Sequence, residues 1–110
     1  MDSKDALVVF EGTQIRRTWY DEQWHFSVVD VVRILTDSAD PKDYWYRLKK
    51  REAESSGIEL STFCRQLKLP SYDGKKYETD CSNSESMFRI IQSIPSKKAE
   101  PFKHLKKLKE

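Results

Sequence analysis

The dipeptide Asp73-Gly74 lies between two runs of residues that favour β-strands, and it constrains the fold more than any other short stretch of the chain. Asp-Gly pairs adopt the positive φ angles that a two-residue hairpin turn requires. The segment "LSTFCRQLKLPSYDGKKYETDCS" therefore predicts a β-hairpin. The first arm of this hairpin could also be a helix, because its apolar residues recur at intervals of three and four. These residues are Leu60, Phe63, Cys64 and Leu67.

A second hairpin is predicted near the beginning of the sequence. Ala6–Phe10 and Gln14–Tyr20 are rich in Val, Ile, Trp and Tyr, and "EGT" between them offers Gly12 for the turn. A third short strand is expected at Trp24–Phe26. This part of the chain predicts an antiparallel hairpin or a three-stranded sheet.

Two helices are predicted between the hairpins. In "SVVDVVRILTD", Ser27 and Asp30 fit a capping signal, and apolar residues cover most of the circumference, so this helix should be largely buried. Its many β-branched residues leave a strand as the alternative. The next helix starts at "SADPKD", where Asp40 can cap and Pro41 suits the first helical position, and it should end near Gly57.

A third helix is predicted in "SNSESMFRIIQSIP". Ser82 and Glu85 form a capping-box pattern at its start, an apolar face follows, and Pro95 ends it. The tail restarts with Pro101 at a possible helix start and stops abruptly, so we expect the sequence to be cut from a longer protein. The predicted organisation is one domain over residues 1–96 and a basic tail or helix over residues 97–110.

Composition gives only weak support for a nucleic-acid partner. The 110 residues suffice for one domain, and 37% hydrophobic and 12% aromatic residues indicate a folded one. The net charge is only +2, so the distribution of charge matters more than its sum. Basic residues concentrate in residues 42–51, 75–76 and 97–109. The sequence has no signal-peptide pattern and no long apolar run, so we expect a cytoplasmic protein that does not enter a membrane.

Enzymatic and metal sites have little support in the sequence. Cys64 and Cys81 are too few for a disulfide framework and no metal-ligand motif accompanies them, so free, partly buried thiols are expected. His25 and His104 lie far apart in sequence and outside any nucleophile or phosphate-loop motif. The expectation is a protein that is not an enzyme and needs no cofactor.

The strongest candidate for a binding surface is the exposed face of the second helix. At about 100° per residue, Tyr44, Trp45 and Leu48 form an apolar face, while cations and one tyrosine occupy the remaining arc. Cations neutralise phosphates, and an exposed tyrosine can hydrogen-bond a phosphate or stack on a base. Adding the two lysines at the predicted hairpin tip, the candidate DNA contacts are Lys42, Tyr46, Arg47, Lys49, Lys50, Arg51, Lys75 and Lys76.

Two alternatives compete with this hypothesis. Both basic segments could be ordinary solvated surfaces, since lysine stems often cover apolar area and surface turns often carry lysines. Arg16 and Arg17 are neighbours on a strand and point to opposite faces, so at most one of them joins a given patch. Exposed aromatic residues would instead suit a protein-interaction module that captures a repressor, and the candidates are Trp19, Tyr20, Trp24 and Tyr72.

Several stretches resemble a known family. The stretch "ALVVFEGTQIRRTWYDEQWHFSVVDVVRIL" is similar to the start of the Bro-N domain of phage antirepressors and related viral and bacterial proteins. The stretches "YWYRLKKRE", "LKLPSYDGKKYETD" and "RIIQSIPSKKAEPFK" resemble a bacterial branch of that family. The resemblance covers nearly the whole chain and consists of patterns of apolar, aromatic and basic residues.

This resemblance implies a compact α+β domain with three to four helices at the start of a longer protein. It further implies binding of double-stranded DNA and a part in transcriptional regulation, often of prophage genes. A repressor protein and a second copy of the chain in a homodimer are further partners to consider. The segments "RLKKR" and "DGKK" are where the DNA contacts are expected.

Overall fold

In residues 7–10 and 13–103, which a computed structural model describes, the chain forms five strands, three α-helices and two 3₁₀-helices. The strands are β1 (Leu7–Phe10), β2 (Thr13–Tyr20), β3 (Gln23–Ser27), β4 (Arg65–Pro70) and β5 (Lys76–Ser82). The helices are α1 (Val28–Thr36), α2 (Pro41–Ser55) and α3 (Ser84–Gln92), with 3₁₀-helices at Leu60–Phe63 and Lys97–Phe102. These elements confirm the predicted α+β class with its two hairpins.

The described strands form one antiparallel sheet in the order β1-β2-β3-β5-β4. The two hairpins meet at a short junction, because β3 pairs with β5 at Phe26↔Ser82 and Ser27↔Cys81. The sheet curls back on itself, since Arg16 on β2 donates a hydrogen bond of 3.1 Å to the carbonyl of Pro70 near the end of β4. The β4–β5 hairpin therefore lies over β2 as well as beside β3.

The N-terminal strands agree with the sequence prediction. β1 and β2 pair antiparallel, and the expected third strand is β3. The tight turn between β2 and β3 consists of Asp21 and Glu22, both with positive φ (55° and 61°), as a two-residue hairpin turn requires. The predicted turn at Gly12 lies outside the described residues.

α1 begins at the predicted cap. The hydroxyl of Ser27 accepts a hydrogen bond from the amide N–H of Asp30 at 3.2 Å, which satisfies one of the free donors of the first turn. Most of the helix is buried, as predicted, and Asp37 ends it in the left-handed conformation. The helix therefore prevails over the strand alternative, because its cap is satisfied and its apolar residues reach the core.

Both predicted ends of α2 are also confirmed. A carboxylate oxygen of Asp40 accepts from the N–H of Asp43 at 3.1 Å, and Pro41 is the first helical residue. The last residue is Ser55, and Gly57 follows with φ 75°. The next segment, for which the sequence allowed a helix or a strand, contains both. A short 3₁₀-helix at Leu60–Phe63 is followed by β4.

The predicted capping box of α3 is wrong. Asn83, not Ser82, is the cap, because its side-chain oxygen accepts from the N–H of Ser86 at 2.8 Å. Ser82 belongs to β5 and donates its hydroxyl proton to the carbonyl of Phe63 at 2.7 Å. The strand thus extends one residue farther than the capping pattern indicates, and the helix starts one residue later.

Contrary to the sequence prediction, Pro101 is not the first residue of a helix, and the rest of the predicted tail helix lies outside the described residues. Pro101 lies inside the 3₁₀-helix Lys97–Phe102, whose cap is Ser96. Ala99 in this segment is fully buried against the core, and partly buried Phe102 packs beside it. Burial of Ala99 explains the difference, because the chain must turn towards the core before it reaches Pro101.

The core lies between the helices and one face of the sheet. Trp45 and Leu48 are buried and Tyr44 packs against the core, so the predicted apolar face of α2 is confirmed. No helix in the described part of the chain combines the length and hydrophobicity needed to cross a bilayer. The remaining large buried residues include Val32, Leu35, Leu60, Met87, Ile90, Ile91 and Ile94.

Candidate nucleic-acid interface

The exposed face of α2 carries three side chains at intervals of four residues. Lys42, Tyr46 and Lys50 are all exposed, Tyr46 to 62%, and their spacing places them along one side of the helix. With a rise of 1.5 Å per residue, the line runs for about 12 Å. Trp45 and Leu48 point away from it into the core, so the orientation of this line is set by packing. We call Lys42, Tyr46 and Lys50 the α2 stripe.

Two arginines lie beside the α2 stripe in different states. Both Arg47 and Arg51 are exposed. Arg47 forms an ion pair of 2.8 Å with Asp43 one turn earlier, so its charge is partly compensated. Within the described residues, Arg51 has no such ion pair. Of the two, Arg51 is the cation more available to an external anion.

Lys49 turns from this face towards the sheet. Its ammonium nitrogen lies 3.3 Å from a carboxylate oxygen of Asp80 on β5 and 5.1 Å from the centre of the Trp45 ring. An ammonium group held between a carboxylate and an aromatic face is partly compensated before any ligand arrives. The structure therefore places Lys49 in the contact between α2 and β5, whereas its neighbour Lys50 faces solvent.

Asp80 joins α2 to the β4–β5 hairpin. Its carboxylate accepts the indole N–H of Trp45 at 2.7 Å, the ammonium of Lys49 and the side-chain amide of Gln66 on β4. We call these four residues the Asp80 node. Sequence reasoning missed it, because Asp80 lies 31 residues from Lys49 and stands in a strand with no motif around it. The node holds one predicted basic segment at a defined position relative to the other.

The tip of the β4–β5 hairpin is held by its own hydrogen bonds. The N–H of Ser71 donates to the carbonyl of Lys75 at 2.8 Å, and the N–H of Gly74 donates to the carbonyl of Ser71 at 3.0 Å. Of the predicted Asp-Gly pair only Gly74 has a positive φ, at 85°, because the loop between Ser71 and Lys75 has three residues rather than two. Asp73 accepts from the N–H of Lys75 and from the hydroxyl of Tyr77. These bonds fix the turn that carries the exposed lysines.

The same hydrogen bonds keep Asp73 ionised. The Tyr77 hydroxyl and the Lys75 N–H lower the pKa of the Asp73 carboxyl, and the Asp73 carboxylate raises the pKa of Tyr77. Lys75 and Lys76 are both exposed beside this carboxylate. The tip therefore carries two cations and one anion, a net charge of +1 over residues 73–76.

A groove of about 900 Å³ separates the N-terminal half of α2 from this hairpin. Lys42 of the α2 stripe lines one side, and Tyr72 of the hairpin tip lines the other. The lining includes three cations and four carboxylates, so the groove itself is not a channel for a polyanion. Its charged residues are Arg16, Arg33, Lys42, Asp40, Asp73, Glu78 and Asp80. Lys42 and the tip residues Tyr72 and Asp73 line this groove, whereas Lys50, Lys75 and Lys76 are exposed outside its lining. We call the α2 stripe and the two tip lysines the two basic rims.

A buried carboxylate, Asp30, binds two of the arginines that line this groove. Arg16 donates from Nε and Nη2 to the two oxygens of Asp30 at 2.9 and 3.0 Å, and its backbone N–H donates to the same group at 2.8 Å. Arg33 adds an ion pair of 3.3 Å. Burial alone would raise the pKa of Asp30, but the hydrogen bonds from Arg16 outweigh it and lower the pKa. We call Arg16, Asp30 and Arg33 the Asp30 node.

Both arginines of the first hairpin are engaged in contacts within the domain. Arg16 belongs to the Asp30 node, and Arg17 is buried with its guanidinium carbon 3.7 Å from the centre of the Trp24 ring. The prediction that they point to opposite faces is confirmed. Charge in the sequence therefore overstates charge on the surface at this hairpin.

Two aromatic residues are exposed at the C-terminal end of β2. Trp19 is 56% exposed and Tyr20 is 43% exposed, whereas Trp24 is half-buried and packs edge-on against Trp19 with ring centres 5.3 Å apart. The guanidinium of Arg65 lies 5.2 Å from the Tyr20 ring centre. These side chains form a second candidate binding surface, which is aromatic whereas the basic rims carry mainly lysines.

The described histidine and both cysteines lie in buried or half-buried surroundings. His25 is buried and its ring lies edge-on to Tyr20, and His104 is outside the described residues. Cys64 is a half-buried free thiol, as predicted, whereas the free thiol of Cys81 is fully buried rather than partly buried. The part of the chain that is described holds no group of three or more His, Cys, Asp or Glu side chains that could bind a metal ion.

Comparison with known proteins assigns a family to this arrangement. The family model described as "BRO family, N-terminal domain" (Bro-N) matches residues 14–107. No curated protein and no solved structure matches the chain significantly. The matched range includes α2, the β4–β5 hairpin and both carboxylate nodes. The resemblance noted in the sequence is thereby confirmed, and the chain belongs to the BRO family, of which it contains the N-terminal domain.

Proposed function

We propose that this domain binds double-stranded DNA through the two basic rims, as part of a prophage-type transcriptional regulator or antirepressor. The observation that carries this proposal is the row of exposed residues Lys42, Tyr46 and Lys50 on α2, whose helix the Asp80 node ties to the hairpin with the exposed Lys75 and Lys76 at its tip. The family supports it, since Bro-N domains are associated with DNA-binding N-terminal regions of phage antirepressors.

On the α2 rim, Lys42 and Lys50 are the principal phosphate contacts, with Arg51 beside them. The α2 stripe spans about 12 Å, and one DNA strand presents a phosphate about every 3.4 Å along the helix axis. About three phosphates of one strand therefore fall within the length of this rim. Tyr46 lies between the two lysines, where its hydroxyl can donate to a phosphate oxygen.

The remaining predicted residues have unequal parts in this proposal. Lys75 and Lys76 contact a neighbouring stretch of backbone from the hairpin tip. Arg47 must share its charge with Asp43, so its contribution is smaller. Lys49 acts as a positioning residue, because its ammonium group is bound to Asp80. The interface is built mainly from phosphate contacts, so we expect little discrimination between DNA sequences.

A salt titration with a random duplex tests this function. Binding of the wild-type domain should weaken steeply with salt, and each lost phosphate contact should lower the slope of log affinity against log salt by about one. The variants are Lys42→Ala, Lys50→Ala, Lys75→Ala and Lys76→Ala. Lys97→Ala is the control, because this exposed lysine lies in the C-terminal 3₁₀-helix. A wild-type slope near zero, or a quadruple variant that binds like the wild type, would contradict the proposal.

A second candidate function is capture of a repressor protein. The exposed Trp19 and Tyr20 favour it, because exposed aromatic residues commonly anchor protein interfaces. A domain with this function would bind duplex DNA without the steep salt dependence, or not at all. Trp19→Ser with Tyr20→Ser would then abolish co-elution with the purified repressor in size-exclusion chromatography, whereas Lys50→Ala with Lys76→Ala would leave it unchanged.

A further inference from the structure

Tyr72 is the most exposed large hydrophobic side chain in the described part of the chain. It lies at the tip of the β4–β5 hairpin with a relative accessibility of 102%, against 62% for Tyr46. A ring at this position adds nothing to the core, and it exposes apolar area that a serine or asparagine would not. Such a residue at a turn is therefore a candidate for contact with a ligand rather than for stability.

The backbone presents this ring at a defined position. Pro70 precedes the turn, and two backbone hydrogen bonds between Ser71, Gly74 and Lys75 close it. Asp73, next to Tyr72, is held by two further bonds. A preorganised turn loses little conformational entropy when it binds, so a single ring can contribute fully to affinity.

The surroundings of Tyr72 suit a nucleic-acid base better than a protein. A stable protein interface buries roughly 800 Å² on each partner around its anchoring residues. The neighbours of Tyr72 in the turn are small or charged, namely Ser71, Asp73, Gly74 and Lys75. A base or deoxyribose needs only the face of one ring, and the two lysines that follow suit the phosphates on either side.

We propose that Tyr72 enters the minor groove of duplex DNA and packs its ring against the sugars and base edges there. This inference rests on the proposed DNA-binding function and adds a contact to it. The minor groove is about 6 Å wide, so it admits the tip with its one ring but not the whole two-stranded ribbon. Lys75 and Lys76 then lie close to the phosphates that border the groove. Because the groove floor offers few distinguishing groups, the contact tolerates many sequences.

Tyrosine and lysine variants separate ring contacts from phosphate contacts. Tyr72→Ala should weaken binding to a random duplex about tenfold and leave the salt slope unchanged, because no phosphate contact is lost. Tyr72→Phe should stay within about twofold of the wild type, since the ring remains. Lys75→Ala with Lys76→Ala should lower the salt slope by about two. Ile58→Ala is the control, an exposed apolar residue away from the tip.

Groove-specific competitors decide where the ring lies. Netropsin, which occupies the minor groove, should displace the wild-type domain, and Tyr72→Ala should be displaced less readily. Methyl green, a major-groove ligand, should have little effect. Competition by methyl green alone, or tighter binding to single-stranded than to duplex DNA, would overturn the minor-groove contact.

The two proposals fail in different ways. If Tyr72→Ala binds like the wild type while the double lysine variant has a salt slope lower by about two, the Tyr72 contact is refuted and the DNA-binding function stands. If the wild-type domain shows no salt-dependent binding to duplex DNA, both are refuted. Circular dichroism of each variant controls for misfolding, and because Tyr72 is completely exposed, its replacement should leave the spectrum unchanged.

Discussion

The indole N–H of Trp45 donates a hydrogen bond of 2.7 Å to the carboxylate of Asp80, across 35 residues of sequence. Trp45 lies on the buried face of α2, and Asp80 lies on β5 of the hairpin that carries Tyr72. Lys49 and Gln66 donate to the same carboxylate. One carboxylate therefore sets the position of the α2 stripe relative to the hairpin tip, and any ligand that touches both rims depends on it.

Removing this carboxylate should destabilise the domain. Asp80→Ala leaves the buried indole N–H of Trp45 without its acceptor, so we expect the free energy of unfolding to fall by about 1–3 kcal/mol in urea denaturation. Glu78→Ala is the matched control, because Glu78 is exposed on the same strand two residues earlier, and it should change the free energy by less than about 0.5 kcal/mol. Equal losses for both variants would show that the Asp80 node adds no stability of its own.

Mutation of Lys50 should mainly affect DNA binding, whereas mutation of its neighbour Lys49 should mainly affect stability. Lys50→Ala should lower the salt slope of DNA binding by about one and leave the unfolding midpoint in urea nearly unchanged, since Lys50 faces solvent. Lys49→Ala should shift the unfolding midpoint to lower urea and change the slope less, because its ammonium group is bound to Asp80. The same two measurements on both variants provide the control. A larger slope change for Lys49→Ala would place Lys49 among the phosphate contacts.

Local chemistry made most of the fold predictable from the sequence. Asp73-Gly74 indicated the β4–β5 hairpin, and Asp40 with Pro41 marked the first turn of α2, because both signals act within a few residues. The apolar period of α2 correctly assigned Trp45 and Leu48 to the core. The capping-box prediction failed by one residue, since pairing of Ser82 with Phe26 in the sheet extended β5.

Long-range contacts were the part that sequence reasoning could not supply. Lys49 and Lys50 look equivalent in "RLKKR", and only the folded chain brings Asp80 to one of them. Arg16 looked like a surface cation until α1 placed a buried carboxylate beside it. Both cases follow one rule: periodicity predicts which way a side chain points, but its partner comes from another element and depends on topology.

Both thiols should be slow to react in the folded protein. Burial raises the pKa of Cys64 to about 11 and the pKa of Cys81 to about 12. A thiol with a pKa near 11 rather than its ordinary value near 9 carries about a hundredfold less thiolate at pH 8. Reaction with a disulfide reagent should therefore be slow for the native domain and fast in urea. Rapid labelling of one thiol without denaturant would show that its segment opens readily.

The Asp30 node should depend on Arg16 more than on Arg33. Arg16 donates two side-chain bonds and one backbone bond to Asp30, and its side chain is 26% exposed, whereas Arg33 is 44% exposed and makes one longer ion pair. Arg16→Met should lower the free energy of unfolding by about 3 kcal/mol, because a buried carboxylate loses most of its compensation. Arg33→Met is the matched control and should cost less than about 1 kcal/mol. Similar losses would contradict this ranking.

Stability in acid should report on the same carboxylate. The hydrogen bonds from Arg16 lower the pKa of Asp30 in the folded state, so the unfolded chain binds its proton more readily. The contribution of Asp30 to stability is therefore complete above about pH 5 and is lost as pH falls through the folded pKa. In urea denaturation from neutral pH to about pH 2, the free-energy difference between the wild type and Asp30→Asn should narrow at the acid end. Other carboxylates, including Asp73, titrate in both proteins, so their effects largely cancel in this difference. A difference that stays constant over the whole range would mean that the ionised form of Asp30 is not what stabilises the fold.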